Sequence, residues 1–194
     1  MRSKKIIYNI ITNLVLQIVT IIYGFIVPKI IISKYGSDVN GLISSITQFL
    51  AYISLLESGF GPVVKSILYK PIAKKDNKEI SNILKSSEIF FRNISKIFII
   101  YIIILCIFYP IIINNQFDTI FTLSLIIIIS ISTFFEYYFG MTYKLFLQSD
   151  QKTYVISVIQ IVTYLLSIAI IVICSLFNIS IQFLKILSSF AFLL

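Results

Sequence analysis

Two glutamates within long apolar stretches are the residues of this chain whose chemistry most needs an explanation. Glu57 lies in the segment LLESGFGPVVKSILYK, residues 55–70, and Glu136 lies in the apolar stretch that follows Asp118. A charged side chain well inside a membrane-spanning helix costs about 3 kcal/mol on insertion scales, so it faces other helices or a wet cavity. We therefore expect each glutamate either to pair with a lysine of a neighbouring helix or to line a cavity.

The residues around the two glutamates recur with the same spacing, 79 positions apart (57 and 136). The first copy is Glu57, Phe60, Gly61 and Lys65, and the second is Glu136, Phe139, Gly140 and Lys144. Residues four apart share one face of an α-helix, so each copy predicts an acid, a glycine and a lysine on one face. The recurrence indicates either an internal repeat, as transporters often contain, or a coincidence in a chain of low complexity.

Other polar residues at helical spacing accompany these two copies. The first apolar stretch carries a stripe at spacings of three and four, formed by Asn9, Asn13, Gln17, Thr20 and Gly24. Such side chains in a membrane helix bond to a neighbouring helix or line a cavity wall, and both interpretations stay open. The candidate cavity residues are Asn13, Gln17, Lys29, Gln48, Glu57, Lys65, Glu136 and Lys144. The residues that we expect to bend helices are Pro28, Gly59, Gly61 and Pro62.

The composition is typical of an integral membrane protein. Of the 194 residues, 58% are hydrophobic and only 12% are charged, whereas soluble domains have about 25% charged residues. A helix needs about 20 apolar residues to cross the hydrocarbon, and the long unbroken stretches here exclude the alternating pattern of a membrane β-barrel. We predict an all-α helix bundle, a single membrane domain over residues 1–194. Its five full transmembrane helices are expected at about 6–32, 42–69, 97–113, 120–144 and 154–177.

The start of a sixth helix is expected from residue 183, and it predicts that the chain is a truncated reading frame.

The chain carries 16 Lys and Arg against 8 Asp and Glu, a net charge of +8. These cations cluster between the apolar stretches, as in cytoplasmic loops, so nucleic acid is not expected as a partner. With the N-terminus in the cytoplasm, thirteen basic residues fall inside and only Lys29, Lys34 and Lys185 outside.

Residues 70–96 hold the densest charge. We predict a basic cytoplasmic loop there with a short amphipathic helix on the membrane surface, capped at its start by Asp76. Asp76 and Glu79 are the only close pair of acids in this loop, and they fit helix capping better than catalysis.

Histidine is absent and Cys106 and Cys174 lie in apolar stretches, so no metal site or disulfide is expected. The chain is therefore expected to be neither an enzyme nor a cofactor-binding protein, with coupling to Na⁺ or H⁺ left open.

Four segments of the chain resemble a known family. They are NIITNLVLQIV, VPKIIISKYGSDVNGL, LLESGFGPVVKSILYKPIAKKD and LFLQSDQKTYV. Together they resemble the N-terminal half of the polysaccharide transporter family, the Wzx-type flippases of lipid-linked oligosaccharides. That family belongs to the multidrug/oligosaccharidyl-lipid/polysaccharide exporter superfamily. The resemblance covers essentially the whole chain, and its motifs are degenerate.

The resemblance implies the N-terminal lobe of a two-lobe transporter in the bacterial cytoplasmic membrane. It would flip an undecaprenyl-diphosphate-linked oligosaccharide by alternating access, for export of a surface polysaccharide such as O-antigen or capsule. The implied partners are this substrate, membrane lipids and other polysaccharide-assembly membrane proteins, and the diphosphate would need a cation such as Lys29 or Lys65. Two alternatives remain: a lobe of an ion-coupled drug exporter of the related MATE family, and a non-transporting remnant or assembly partner.

Overall fold

The computed structural model describes residues 2–113, 116–177 and 179–192, and all regular structure within these ranges is helical. The first five helices are α1 (Arg2–Tyr35), α2 (Ser37–Ala51), α3 (Ser54–Ser58), α4 (Phe60–Lys74) and α5 (Asn77–Ile112). The remaining four are α6 (Thr119–Phe135), α7 (Met141–Ser149), α8 (Thr153–Leu176) and α9 (Ile181–Ala191). A single π-helical turn, Glu136–Gly140, joins α6 to α7.

Five helical segments are long and apolar enough to cross a membrane. They are Lys5–Tyr35, Ser37–Ser58, Asn77–Ile112, Thr119–Ser149 and Thr153–Leu176. Helix α9 is apolar but has only 11 residues, fewer than the roughly 20 that a span needs. The prediction of an all-helical fold is confirmed, and the five apolar helices indicate a membrane protein. The number of spans that cross a bilayer and the side on which the N-terminus lies stay predictions.

The helix expected over residues 42–69 is divided into three. Helix α2 stops at Ala51, because the N–H groups of Tyr52 and Ile53 donate to carbonyls three residues back, at 3.2 and 3.3 Å, in a tighter turn than an α-helix. Helix α3 follows and ends at Ser58, and α4 begins after Gly59. In contrast, α1 continues through Pro28 without interruption.

The segment from residue 77 to residue 96 is the first half of α5 and not a separate surface helix. Asp76 caps α5, and its carboxylate accepts a hydrogen bond from the N–H of Glu79 at 3.0 Å, as the sequence predicts. No glycine or proline occurs between Asn77 and Tyr109, so nothing stops the helix before the apolar half. At 36 residues, α5 is about 54 Å long, well beyond the roughly 30 Å of hydrocarbon. The α4–α5 hairpin therefore extends past the apolar part of the bundle.

Helices α1 and α8 pack against each other over their whole length. At one end Lys5 Nζ donates to the carbonyl of Asp150 at 3.0 Å, and at the other the hydroxyl of Tyr35 donates to the carbonyl of Ile179 at 2.6 Å. We name these the basic end and the opposite end of the bundle. The basic end also carries the α4–α5 hairpin with its exposed lysines.

A group of polar contacts, here called the α1–α8 clasp, consists of Lys5, Asn9, Asp150 and Lys152. The carboxylate of Asp150 lies 3.2 Å from Lys5 Nζ and 2.6 Å from Lys152 Nζ. Asn9 Oδ1 accepts from the N–H of Tyr154 at 2.7 Å, and Asn9 Nδ2 donates to the carbonyl of Gln151 at 3.0 Å. Asn9 thus bonds to one residue before the start of α8 and to one residue in its first turn.

The environment of Asp150 lowers the pKa of its carboxyl. Partial burial acts to raise this pKa, but hydrogen bonds from Lys152 and Lys5 and the positive charges of both outweigh that effect. The same contact raises the pKa of Lys152, because the ammonium donates to the carboxylate. A carboxyl whose pKa is depressed in the folded state stabilises the fold above its unfolded pKa, and this stabilisation is lost as the pH falls through the folded pKa.

We predict that Asp150→Asn lowers the stability of the protein at pH 7 by about 1 kcal/mol, or about 2–4 °C in unfolding temperature, because two ion pairs are lost. Thermal unfolding in detergent, followed by circular dichroism, measures this change. The difference from wild type should shrink as the pH falls below about 4, where the wild-type carboxyl begins to bind a proton. A difference that stays constant from pH 7 to pH 3 would show that the clasp is not ionic.

Candidate functional site: a cavity between the helices and the two glutamate turns

A cavity of about 460 Å³ lies inside the bundle. Five helices, α1, α2, α6, α8 and α9, together with α3 and the π-turn, contribute to its wall. The polar and aromatic residues of this wall are Tyr23, Thr47, Ser54, Ser132, Thr133, Glu136, Tyr137, Tyr164, Lys185, Ser188, Ser189 and Phe192. A cavity with hydroxyls, one acid and one lysine among apolar helices can hold a polar group that the lipid cannot.

Lys185 is the cation of this cavity. It lies in α9, five residues after Ser180, so it is about 7 Å along the helix from the opposite end. Its backbone carbonyl accepts from the hydroxyl of Ser188 at 3.1 Å. Among the described residues its ammonium has neither a hydrogen-bonding nor an ionic partner, although the residue is half-buried. A half-buried ammonium without an acid can donate up to three hydrogen bonds to an anion or to water.

Sequence reasoning missed Lys185 and assigned it only to the charges of the outer side. The structure places it within α9, where it faces the cavity. A signal was available, because Ser188 and Ser189 follow at three and four residues and so share its helix face. A lysine and two serines on one face of an apolar helix predict a polar cavity on that side.

Three of the aromatic residues of the wall, from α1, α8 and the end of α9, pack together. The rings of Tyr23 on α1 and Tyr164 on α8 lie 4.9 Å apart, and Phe192 meets Tyr164 edge-on at 5.7 Å. Neither tyrosine hydroxyl bonds to another described residue, so both remain able to bond to a molecule in the cavity. Such a wall combines apolar ring faces with hydroxyl groups, as a sugar-binding surface does.

Glu57 does not line this cavity. Its carboxylate accepts a hydrogen bond from the hydroxyl of Tyr137 at 3.1 Å, and Tyr137 belongs to the π-turn that holds the second glutamate. Gly61, one turn after Glu57, is buried against Leu145 of α7. The two recurring segments are therefore in contact, through α3 and α4 on one side and through the π-turn and α7 on the other.

Glu136 lies at the edge of the cavity and is paired. Lys144 Nζ donates to its carboxylate at 2.8 Å, and the two side chains are 31% and 48% exposed for Lys144 and Glu136. The pair links residues eight apart in sequence, across the π-turn. Single π-turns inside α-helices are frequent at functional sites, because they redirect the side chains that follow.

Apart from Glu136, none of the sequence candidates lines this cavity. Asn13 accepts a hydrogen bond from the hydroxyl of Ser157 at 2.6 Å and so joins α1 to α8. Gln17, Lys29 and Gln48 are exposed, and Lys65 is half-buried; among the described residues none of the four has a polar partner. The expected bend residues lie at different places: Pro28 within α1, Gly59 between α3 and α4, and Gly61 and Pro62 in the first turn of α4.

The two glutamates lie near the basic end and not halfway along the bundle. Glu57 comes 20 residues after Ser37, the start of α2, and Glu136 comes 17 residues after Thr119, the start of α6. At 1.5 Å per residue these positions are about 30 and 26 Å from the opposite end. Both glutamates are therefore about as far from the opposite end as a hydrocarbon layer is thick, roughly 30 Å.

Outside this cavity the described residues offer no better enclosed site. No group of three or more His, Cys, Asp or Glu that could hold a metal ion occurs among them. A second hollow, of about 510 Å³, lies at the opposite end beside Phe117, Asp118 and Gln182. It is open to the outside and lined by six residues, so it encloses a ligand less well than the central cavity.

No protein-family model matches the chain, and neither do any of the curated proteins or solved structures searched.

We predict opposite results for two neighbouring glycines. A Cβ at Gly61 would touch Leu145 and Glu57 at 3.6 and 3.7 Å, whereas a Cβ at Gly59 would have no neighbour within 4 Å. Gly61→Leu should lower stability by about 1–3 kcal/mol through overpacking, while Gly59→Leu should be neutral or stabilising because leucine favours the helix. Thermal unfolding of both variants and of Gly61→Ala, expected near wild type, measures this. Equal losses for both leucine variants would contradict the packing of α4 on α7.

Proposed function

We propose that the chain is one lobe of a membrane transporter that moves an undecaprenyl-diphosphate-linked oligosaccharide across the bacterial cytoplasmic membrane. The observation that supports it best is the cavity, which offers tyrosine and serine hydroxyls, aromatic rings and a lysine whose ammonium has no partner in the described part of the chain. A lipid-linked sugar has one charged group, many hydroxyls and a long apolar tail. Lys185 would meet the diphosphate, the hydroxyl-bearing wall would meet the sugars, and the tail would remain in lipid. No covalent step is required.

The distribution of charge supports a cytoplasmic N-terminus for this lobe. The lysines of the α4–α5 hairpin, the α1–α8 clasp and Lys144 all gather toward the basic end, which is the end where α1 begins. Lys29 and Lys34 lie toward the opposite end of α1. Because Lys and Arg are enriched on the cytoplasmic side of membrane proteins, the basic end is the cytoplasmic end in this proposal.

An ion-coupled drug exporter lobe is the second candidate, and one observation favours it. Glu136 faces the cavity, where its carboxylate could bind a cation or a proton, and its partner Lys144 is on the same side of the bundle. In a drug exporter the cavity would attract cationic molecules and Glu136 would be essential. In the flippase, Lys185 is the essential residue and Glu136 is a rim residue held by Lys144.

We predict that Lys185→Gln reduces flipping at least about tenfold, because a charge-assisted hydrogen bond to a phosphate contributes about 1.5–3 kcal/mol. The assay reconstitutes the purified chain in liposomes with an undecaprenyl-diphosphate oligosaccharide that carries a fluorescent sugar. A membrane-impermeant quencher then reports the fraction of label that reaches the outer leaflet. Lys34→Gln, which removes an exposed lysine on α1, is the matched control and should behave like wild type.

Lys185→Arg, which keeps the charge, should retain most of the flipping. Equal rates for wild type and Lys185→Gln would reject the assignment of this lysine. A wild-type chain that flips nothing in this assay, but whose proteoliposomes exclude a cationic dye in an ion gradient, would favour the drug exporter instead.

A further inference from the structure

Helix α1 is poorly covered by the rest of the bundle. Within its described side chains only Val27 and Ile31 are buried, and both lie toward the opposite end. Thr20 and Gly24 come seven residues before Val27 and Ile31, so they lie on the same side of the helix, two turns nearer the basic end. Thr20 and Gly24 are exposed. The side of α1 that is packed near the opposite end is therefore uncovered further along.

Helix α2 presents a matching uncovered face. Ser44, Thr47, Gln48 and Ala51 are exposed, as is Ser54 at the start of α3. Three of these, Thr47, Ala51 and Ser54, also belong to the cavity wall. A residue that is exposed and lines a cavity marks the mouth of that cavity. The cavity therefore opens sideways through this face, which we call the α1–α2 face: Gln17, Thr20, Gly24, Ser44, Thr47, Gln48, Ala51 and Ser54.

The polarity of this face excludes lipid as its cover. Gln48 comes 11 residues after Ser37, the start of α2, so it lies about 16 Å along a helix that needs about 30 Å to cross. Its amide and that of Gln17 are exposed and bond to no described residue. Amides at membrane depth are placed between helices, where they bond across an interface. The apolar outer faces of α5 and α8, in contrast, are suited to lipid.

We propose that a second copy of this chain covers the α1–α2 face, so that the cavity is completed by a wall from each copy. A twofold interface must be complementary to itself. This face carries no charge, and the amides of Gln17 and Gln48 each donate and accept hydrogen bonds, so the amides of one copy satisfy those of the other. The hydroxyls of Thr20, Thr47 and Ser54 already donate to carbonyls three or four residues back and can only accept. Small residues at Gly24, Ser44 and Ala51 let helices approach closely. The basic end could not pair in this way, because its lysines repel their own copies.

The second copy supplies the second lobe of the proposed transporter. The inference rests on the proposed function for what the cavity holds, but not for the pairing itself. The test therefore reads proximity and not transport, and it stands whether or not the chain flips a lipid.

The experiment uses the full chain with Cys106→Ser and Cys174→Ser, in the membranes in which it is expressed. Single cysteines are placed on the face, as Ser44→Cys, Gln48→Cys and Ser54→Cys. Matched controls are Ile103→Cys and Ile107→Cys, which are exposed on the apolar side of α5. A flexible bismaleimide is used beside an oxidant, because a disulfide forms only where two Cα atoms approach within about 7 Å.

We expect a product of twice the chain mass from the face positions, at several times the yield from the α5 controls. Co-expression of two differently tagged copies should give co-purification, and Gln17→Leu with Gln48→Leu should reduce it while helicity is unchanged. Equal cross-linking from both sets of positions, no product from either, or a product of another mass would each overturn the proposal.

Discussion

The bilayer interior offers no water, so a polar side chain on a membrane helix needs a partner within the protein. In this chain most serines and threonines find that partner in their own helix. The hydroxyls of Thr20, Thr47 and Ser95, for example, donate to carbonyls four residues back at 2.8–3.0 Å. Such residues are satisfied locally and say little about function. The side chains of Asn13, Gln17, Gln48 and Lys185 make no such bond, so they are the ones that report on contacts beyond their own helix.

The two recurring segments are an instructive case of similar sequence with different local structure. The first is preceded by a tight turn at Tyr52 and Ile53, and the second forms a π-turn, which is wider than an α-helix. The helix is wound more tightly at the first turn and more loosely at the π-turn, yet both turns lie near the same level of the bundle. The Glu57–Tyr137 hydrogen bond joins them at this level. Their contact involves Gly61, which is buried against Leu145, but not Gly140, which is exposed. It does not show a duplicated unit, so an internal repeat stays a prediction.

The sequence predicts the helical class well, because hydropathy and the absence of glycine or proline are local signals. The cap at Asp76 is likewise local, since its partner is three residues away. Contacts between helices that are distant in sequence cannot be predicted from such local signals. Nothing near Asp150 indicates that Lys5 will be its partner, because they are 145 residues apart and meet only when α1 lies along α8. Similarly, charge counting along the chain assigns Lys185 only to the outer side, whereas the direction of its side chain depends on how α9 packs.

The sign of the charge that the cavity attracts depends on which of its two charged side chains, Glu136 or Lys185, is compensated by a neighbouring opposite charge. Glu136 and Lys185 carry opposite charges, and their positions along the helices differ by about 19 Å, so they do not neutralise each other. Glu136 is instead compensated at 2.8 Å by Lys144, while Lys185 has no compensating acid among the described residues. The cavity is therefore electropositive toward the opposite end and nearly neutral at its rim. A loss of the Lys144 contact would add a negative charge at the rim and weaken the attraction for an anion. The ion pair across the π-turn thus bears on which ligands enter, although neither of its members is near Lys185.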